Sequence, residues 1–167
     1  MGLSALTAAF AAQLAPDLKV RGYKKSGPTW RRAKDDTLQV LNLQKSDFGD
    51  SFYLNVGLYL TALGDERRPT EYRCHVRCRA ERLMPREEIA EMRGLLDFTT
   101  DVPSERRYQE LRELISAFPL AWLDANTTEA ALRDTLTGHT KGFTIHVRVW
   151  EHLGLGVPDK IRGKLGF

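Results

Sequence analysis

The run Thr37-Leu-Gln-Val-Leu-Asn-Leu-Gln-Lys-Ser46, a short polar turn, and the run Ser51-Phe-Tyr-Leu-Asn-Val-Gly-Leu-Tyr-Leu60 constrain this chain's fold more than any other feature. In the second run Phe52, Leu54, Val56, Leu58 and Leu60 share one parity, and Tyr53, Asn55, Gly57 and Tyr59 the other. Side chains alternate across a strand, so this pattern describes a strand with one apolar face. Two such runs joined by a short turn predict neighbouring antiparallel strands at the centre of one sheet. The first run slips: Leu38 and Val40 share one parity, Leu41 and Leu43 the other. A β-bulge near Val40-Leu41 would restore a single apolar face and group Gln39, Asn42 and Gln44 on the polar one. Burial on both faces explains the pattern equally.

Around this centre the remaining elements follow from local signals. Ser4 suits the cap of a helix carrying Leu6, Phe10 and Leu14, with Pro16 ending or kinking it and Leu18 and Val20 extending the apolar stripe. Tyr23-Lys24 opens a strand, Ser26-Gly27-Pro28 turns the chain, and Thr29 to Lys34 returns with Trp30 as the inward anchor. Tyr72 to Leu83 reads as a further strand, with Cys74, Val76, Cys78 and Ala80 inward and His75, Arg77 and Arg79 outward. After it the apolar period becomes helical. One helix starts near Pro85 with Ile89, Met92 and Leu96; another, capped by Ser104 and closed by Pro119, carries Tyr108, Leu111, Ile115 and Phe118. A shorter helix covers Thr128 to Leu136, ended by Gly138. Phe143 to Trp150 alternates like a strand but also fits a helix, which is the favoured reading, and Pro158 opens a last short helix. The expected architecture is α+β: an antiparallel sheet of about four strands flanked by an N-terminal helix and several C-terminal helices, in a single domain over residues 1–167.

With 42% apolar residues among 167, the chain can build a substantial core. No apolar run reaches membrane-spanning length and residues 1–14 lack a basic leader, so the expectation is a cytoplasmic protein without membrane association. Cys74 and Cys78, four apart in an extended strand, would lie about 13 Å apart, beyond the roughly 7 Å that a disulfide allows. Buried reduced thiols are expected instead. The net charge of +3 is mild but uneven: Lys19, Arg21, Lys24, Lys25, Arg31, Arg32 and Lys34 stand together with no acid among them. Such a block can steer an anionic partner, or can simply be an edge hairpin whose cations discourage strand-to-strand pairing.

Several segments together resemble a known family. Gly22-Tyr-Lys-Lys-Ser-Gly with Thr29-Trp-Arg-Arg, Gln39-Val-Leu-Asn-Leu-Gln-Lys-Ser46, Phe52-Tyr-Leu-Asn-Val-Gly-Leu-Tyr59 and Tyr72-Arg-Cys-His-Val-Arg77 are similar to the bacterial domain of unknown function 4304 family, over roughly residues 3–96. Where that family's pattern suggests a tryptophan-rich stretch after the fourth strand, this chain has Arg82-Leu-Met-Pro-Arg86. The resemblance implies an α+β fold and a bacterial origin, and it supplies no catalytic residues.

Catalytic signatures are absent from the sequence. There is no Gly-x-Ser-x-Gly elbow and no phosphate loop, and Gly154-Leu-Gly156 lacks the third glycine of a dinucleotide fingerprint. The four histidines show no ligand spacing, so no metal or cofactor is expected. What remains is a surface. Asn42, Gln44, Lys45, Tyr53, Asn55, Tyr59, His75 and Arg77 are the candidate binding residues of the sheet, and Lys24, Arg31 and Arg32 those of the basic hairpin. A satisfied polar layer or a plain solvated face accounts for the same residues. The leading functional reading is a non-enzymatic interaction domain with a protein partner, in its specific form an immunity protein covering a toxin. Its rival is a nucleic-acid or anion-binding module, with rings and arginines stacking bases and gripping phosphates. A weaker third reading is an enzyme using His75 beside Lys45 and an arginine, which requires a pocket joining them.

Overall fold

The computed structural model describes residues 3–165, without the side chains of Leu3, Ser4, Leu6, Thr7 and residues 163–165. The expected Ser4 cap and the Leu6 end of the first helical stripe therefore lie outside the described residues. Helix α1, Leu3–Val20, runs through Pro16 instead of ending there. Phe10, Leu14 and Leu18 are buried at helical spacing, but Val20 is 89% exposed and does not extend the stripe.

Six antiparallel strands follow, β1 (Lys24–Ser26), β2 (Thr29–Lys34), β3 (Thr37–Lys45), β4 (Phe52–Leu60), β5 (Val76–Arg79) and β6 (Thr144–Ile145). They lie side by side in chain order, two more strands than about four. The two edges are short, three and two residues long; β1 is the strand expected from Tyr23-Lys24, and β6 lies in the stretch 143–150 that alternates like a strand. The β3–β4 register is continuous from Thr37↔Leu60 through Leu41↔Val56 to Lys45↔Phe52. There is thus no bulge at Val40-Leu41. The parity slip arises because both faces are covered: Leu41 and Leu43 join the main core, while Val40 packs with Tyr59, Cys74 and the half-buried Leu38 on the other side.

That second cover comes from the segment before β5. The expected strand from Tyr72 is a tight turn at Glu71–Arg73, and the extended part is Val76–Arg79 alone. Cys74 accordingly lies across Gly57 on the face opposite Cys78, so the two thiols do not share an inward side. Both are free and buried. Burial pushes the Cys74 thiol well above its ordinary value and the Cys78 thiol up to about 12, which disfavours the thiolate form.

Helices cover the main face. α2 (Arg86–Leu96) contributes Met92, Leu95 and Leu96, and α3 (Ser104–Ile115) contributes Leu111, Leu114 and Ile115. Ser104 makes no capping hydrogen bond, and Pro119 does not close the helix. The chain passes through a wider π-type turn at Ser116–Leu120 into α4, Ala121–Ala125. Such a turn accommodates a proline that lacks an N–H to donate. α5 (Glu129–Leu136) is capped by the Thr128 hydroxyl, which accepts from the Ala131 N–H at 3.2 Å. Residues 143–150 combine both expectations: Thr144–Ile145 pairs with β5, and α6 (Val147–His152) follows at once. α7, Asp159–Leu165, ends the described chain. Trp30, Leu41, Val56, Leu58 and Val76 meet these helices in one core, where each fully buried large side chain contributes about 1.5–3 kcal/mol. Among the described residues no helix is long and apolar enough to cross a membrane.

Candidate functional site

On the face away from the main core, β3, β4 and β5 present the even-numbered residues of β3 and the odd-numbered residues of β4 and β5. The loop at 64–75 covers the end near Gly57 and Tyr59, where a Cβ on Gly57 would lie 2.6 Å from the Cys74 sulfur. The other end stays open as a concavity of about 780 Å³. Gln44, Tyr53 and Asn55 form its floor, Arg77, Arg79, Arg82 and Arg93 its basic wall, and Glu71, Glu81 and Asp97 its acids.

The floor is rigid. The Asn55 side-chain amide donates to Gln44 Oε1 at 2.9 Å and to Asn42 Oδ1 at 3.3 Å, and Asn42 Nδ2 donates to Thr29 Oγ1 at 2.9 Å. This row of amides crosses three strands and holds their polar face in one arrangement. Above it the Arg79 guanidinium stacks on the Tyr53 ring, 3.4 Å from its centroid.

The charges are unevenly matched. Arg93 meets Glu81 at 2.9 Å, and Arg77 lies 3.8 Å from Glu71. Among the described residues neither Arg79 nor Arg82 has a carboxylate within ion-pair distance, and the Nη1 of Arg79 is buried without a hydrogen-bond partner. Burial lifts the Glu71 carboxyl above its ordinary range, with Arg77 and Arg79 pulling it part of the way back. The concavity thus offers fixed guanidinium charge to a carboxylate or another oxyanion. Among the described residues no cluster of His, Cys, Asp or Glu is arranged to hold a metal ion.

Of the residues singled out from the sequence, Gln44, Tyr53, Asn55 and Arg77 line this recess, with Asn42 bonded to its floor. The others stand elsewhere. Lys45 has the opposite parity and approaches Asp50 at 3.7 Å. Tyr59 is buried beneath the loop, its hydroxyl accepting from the Glu66 N–H at 3.3 Å. His75 is buried too: its Nδ1 accepts from the Leu60 N–H at 3.0 Å, and its ring centroid is 4.3 Å from that of Tyr59. Burial, then His146 and Arg148, lower its pKa to about 4. His75 therefore stands at the Leu60 end of β4 and Lys45 opposite Phe52, separated by about 26 Å of strand, so no pocket joins them.

The basic hairpin is likewise not one patch. Lys24 is exposed, Arg31 donates to the Pro69 carbonyl at 2.7 Å, and Arg32 turns to the helical face, where it is 7% exposed. There Arg32 donates to Gln39 Oε1 and to Asp124 Oδ1 at 2.5 Å each. Gln39, expected on the polar face by the bulge reading, is fully buried in this network. It also accepts from the Tyr23 hydroxyl at 2.8 Å and donates to the Leu123 carbonyl at 2.5 Å.

The model of the family described as "Domain of unknown function (DUF4304)" matches residues 14–125. The chain belongs to the DUF4304 family. The DUF4304 match begins later than the expected residues 3–96 but runs past them through α3 and α4, and it contains every lining residue of the concavity except Gly142 and Thr144. No curated protein and no solved structure matches this DUF4304 chain. Sequence reading missed Glu71, Glu81, Arg82, Arg93 and Asp97 as site residues. Each sits in a turn or at a helix end outside the strands, so strand periodicity carries no signal for them.

Proposed function

We propose that this DUF4304 protein is a non-enzymatic protein-binding module that takes an acidic segment of its partner in the sheet-face concavity. The observation that carries the reading is the Arg79 guanidinium, held on Tyr53 at the rim of a rigid polar recess without a carboxylate of its own. A planar, weakly hydrated cation already fixed in place loses little freedom when it engages a carboxylate. Two exposed aromatic side chains support a macromolecular partner over a small one. Phe48 is 88% exposed in the β3–β4 turn close before Ser51, and Tyr72 is 67% exposed next to Glu71; both Ser51 and Glu71 line the recess. Aromatic side chains and arginines are the residues that dominate protein interfaces.

Base stacking has less support. Tyr59 is buried and one face of Tyr53 is occupied by Arg79, so the two tyrosines do not form an open platform. In its specific form the module is an immunity protein and the partner a toxin whose acidic surface it covers. Affinity purification of the tagged chain from its own host should recover a stoichiometric partner, and Arg77→Glu/Arg79→Glu should lose it while staying folded. Repeated recovery of the chain alone, or a partner indifferent to the reversal, would overturn the reading. Co-expression then tests the specific form: the intact chain, and not the reversed variant, should relieve growth arrest caused by the partner.

A further inference from the structure

A second recess lies at the β1 edge of the sheet, on residues that play no part in the sheet-face concavity. It runs between the end of α1 and the first hairpin and encloses about 530 Å³. Ala15, Leu18, Tyr23 and Trp30 make its floor, and Lys19, Lys24 and Lys25 its rim. Leu18, Tyr23 and Trp30 are anchored in the main core, so the floor is preformed.

No carboxylate lines this recess. Asp17, the acid closest before it in sequence, is held by Arg112 at 3.0 Å, and no acid occurs from Lys19 to Lys34. Lys19, Lys24 and Lys25 therefore line the recess without a carboxylate from α1 or the hairpin beside them. β1 is also an edge strand whose three residues are all exposed. Alternate residues of an edge strand direct their backbone N–H and C=O outward, where an added strand can pair with them.

Charge decides what can occupy this edge. A second copy of the chain paired through β1 would set lysines against lysines, which like-charge repulsion opposes. An extended segment with alternating carboxylates and aliphatic side chains meets both features: acids for the rim, an apolar group for the floor. We infer that the β1 recess docks an extended acidic segment of a protein partner, with carboxylates on Lys19, Lys24 and Lys25 and an aliphatic side chain over Leu18, Tyr23 and Trp30.

The test titrates the full chain with a blocked Glu-Val-Glu-Val-Glu-Val peptide, followed by calorimetry and by amide shifts in an NMR spectrum. Saturable binding is expected, with shifts concentrated in residues 18–30 and affinity falling as salt is raised. Lys24→Glu/Lys25→Glu changes exposed side chains and should fold normally while weakening the peptide about tenfold. Arg133→Glu, which reverses an exposed charge on α5 outside both recesses, should leave the peptide's affinity unchanged. Absence of saturable binding, equal binding of a Lys-Val-Lys-Val-Lys-Val peptide, or a loss through Arg133→Glu as large as through the lysine reversal would each overturn the inference. The sheet-face concavity is tested separately, by partner capture with Arg77→Glu/Arg79→Glu.

Discussion

Gln39 and Asn55 are both amides on the two central strands, and both are buried, yet they belong to different kinds of site. Gln39 lies under α4. Its oxygen accepts from Tyr23 and Arg32, its nitrogen donates to Leu123, and Asp124 closes the network by pairing with Arg32 and with Arg21. Asn55 faces away from the helices. It is bonded sideways, to Asn42 and Gln44, and lines a recess walled by arginines. A polar residue in a strand is therefore architecture where a helix seals it and a candidate site where it borders a recess. The same holds for the arginines: Arg32 is consumed by structure, while Arg79 retains an unmatched charge.

The sharpest way to break this contrast is Gln39→Leu. It would leave the Tyr23 hydroxyl, part of the Arg32 guanidinium and the Leu123 carbonyl without partners in a dry environment, and should cost about 3–4 kcal/mol in urea unfolding. A loss below about 1 kcal/mol would show that the covered network is not structural.

Next in size is Gly57→Ala, which asks whether the lid over the closed end of the polar face is tightly packed. The new Cβ would meet Cys74 Sγ at 2.6 Å and Cβ at 2.8 Å, so a loss of about 2 kcal/mol is expected. The loss should shrink in a Cys74→Gly background, and an equal loss there would place the strain elsewhere.

His75, beneath the same lid, gives the contrast a pH dependence. Its folded pKa of about 4 lies below the ordinary value near 6.5, so the unfolded chain takes up the proton first as pH falls. The stabilisation is complete above pH 6.5 and is lost progressively down to pH 4, by about 2 kcal/mol once partial solvation of the ring is allowed for. Denaturation curves at pH 7 and pH 4.5 should diverge more for the wild type than for His75→Gln, and parallel behaviour would remove His75 as the cause.

The smallest stability effects belong to the open end. Asn55→Ala and Arg79→Ala should each change stability by about 1 kcal/mol or less, the latter chiefly through the lost contact with Tyr53. Partner capture should nevertheless fall for both. A large stability loss with unchanged capture would move these residues to the architectural side.

The sequence by itself determined the parts governed by short-range periodicity. The alternation from Phe52 to Leu60 marked β4 and its core face, Trp30 was evident as an anchor, and Phe10, Leu14, Met92, Leu111 and Ile115 emerged from helical spacing and are all buried. It also brought forward Gln44, Tyr53, Asn55 and Arg77, because amides, a ring and a cation on a strand have no apolar reason to be there. Parity assigns a residue to a face but cannot tell what lies on top of that face. The tertiary structure decided that a turn at 71–73 covers Val40 and Tyr59, and that α4 seals Arg32 and Gln39. It also decided that Glu71, Arg82, Arg93 and Asp97 converge on one recess from separate segments. Those are long-range contacts, set by how helices and loops pack against the sheet, and no local pattern of residues encodes them.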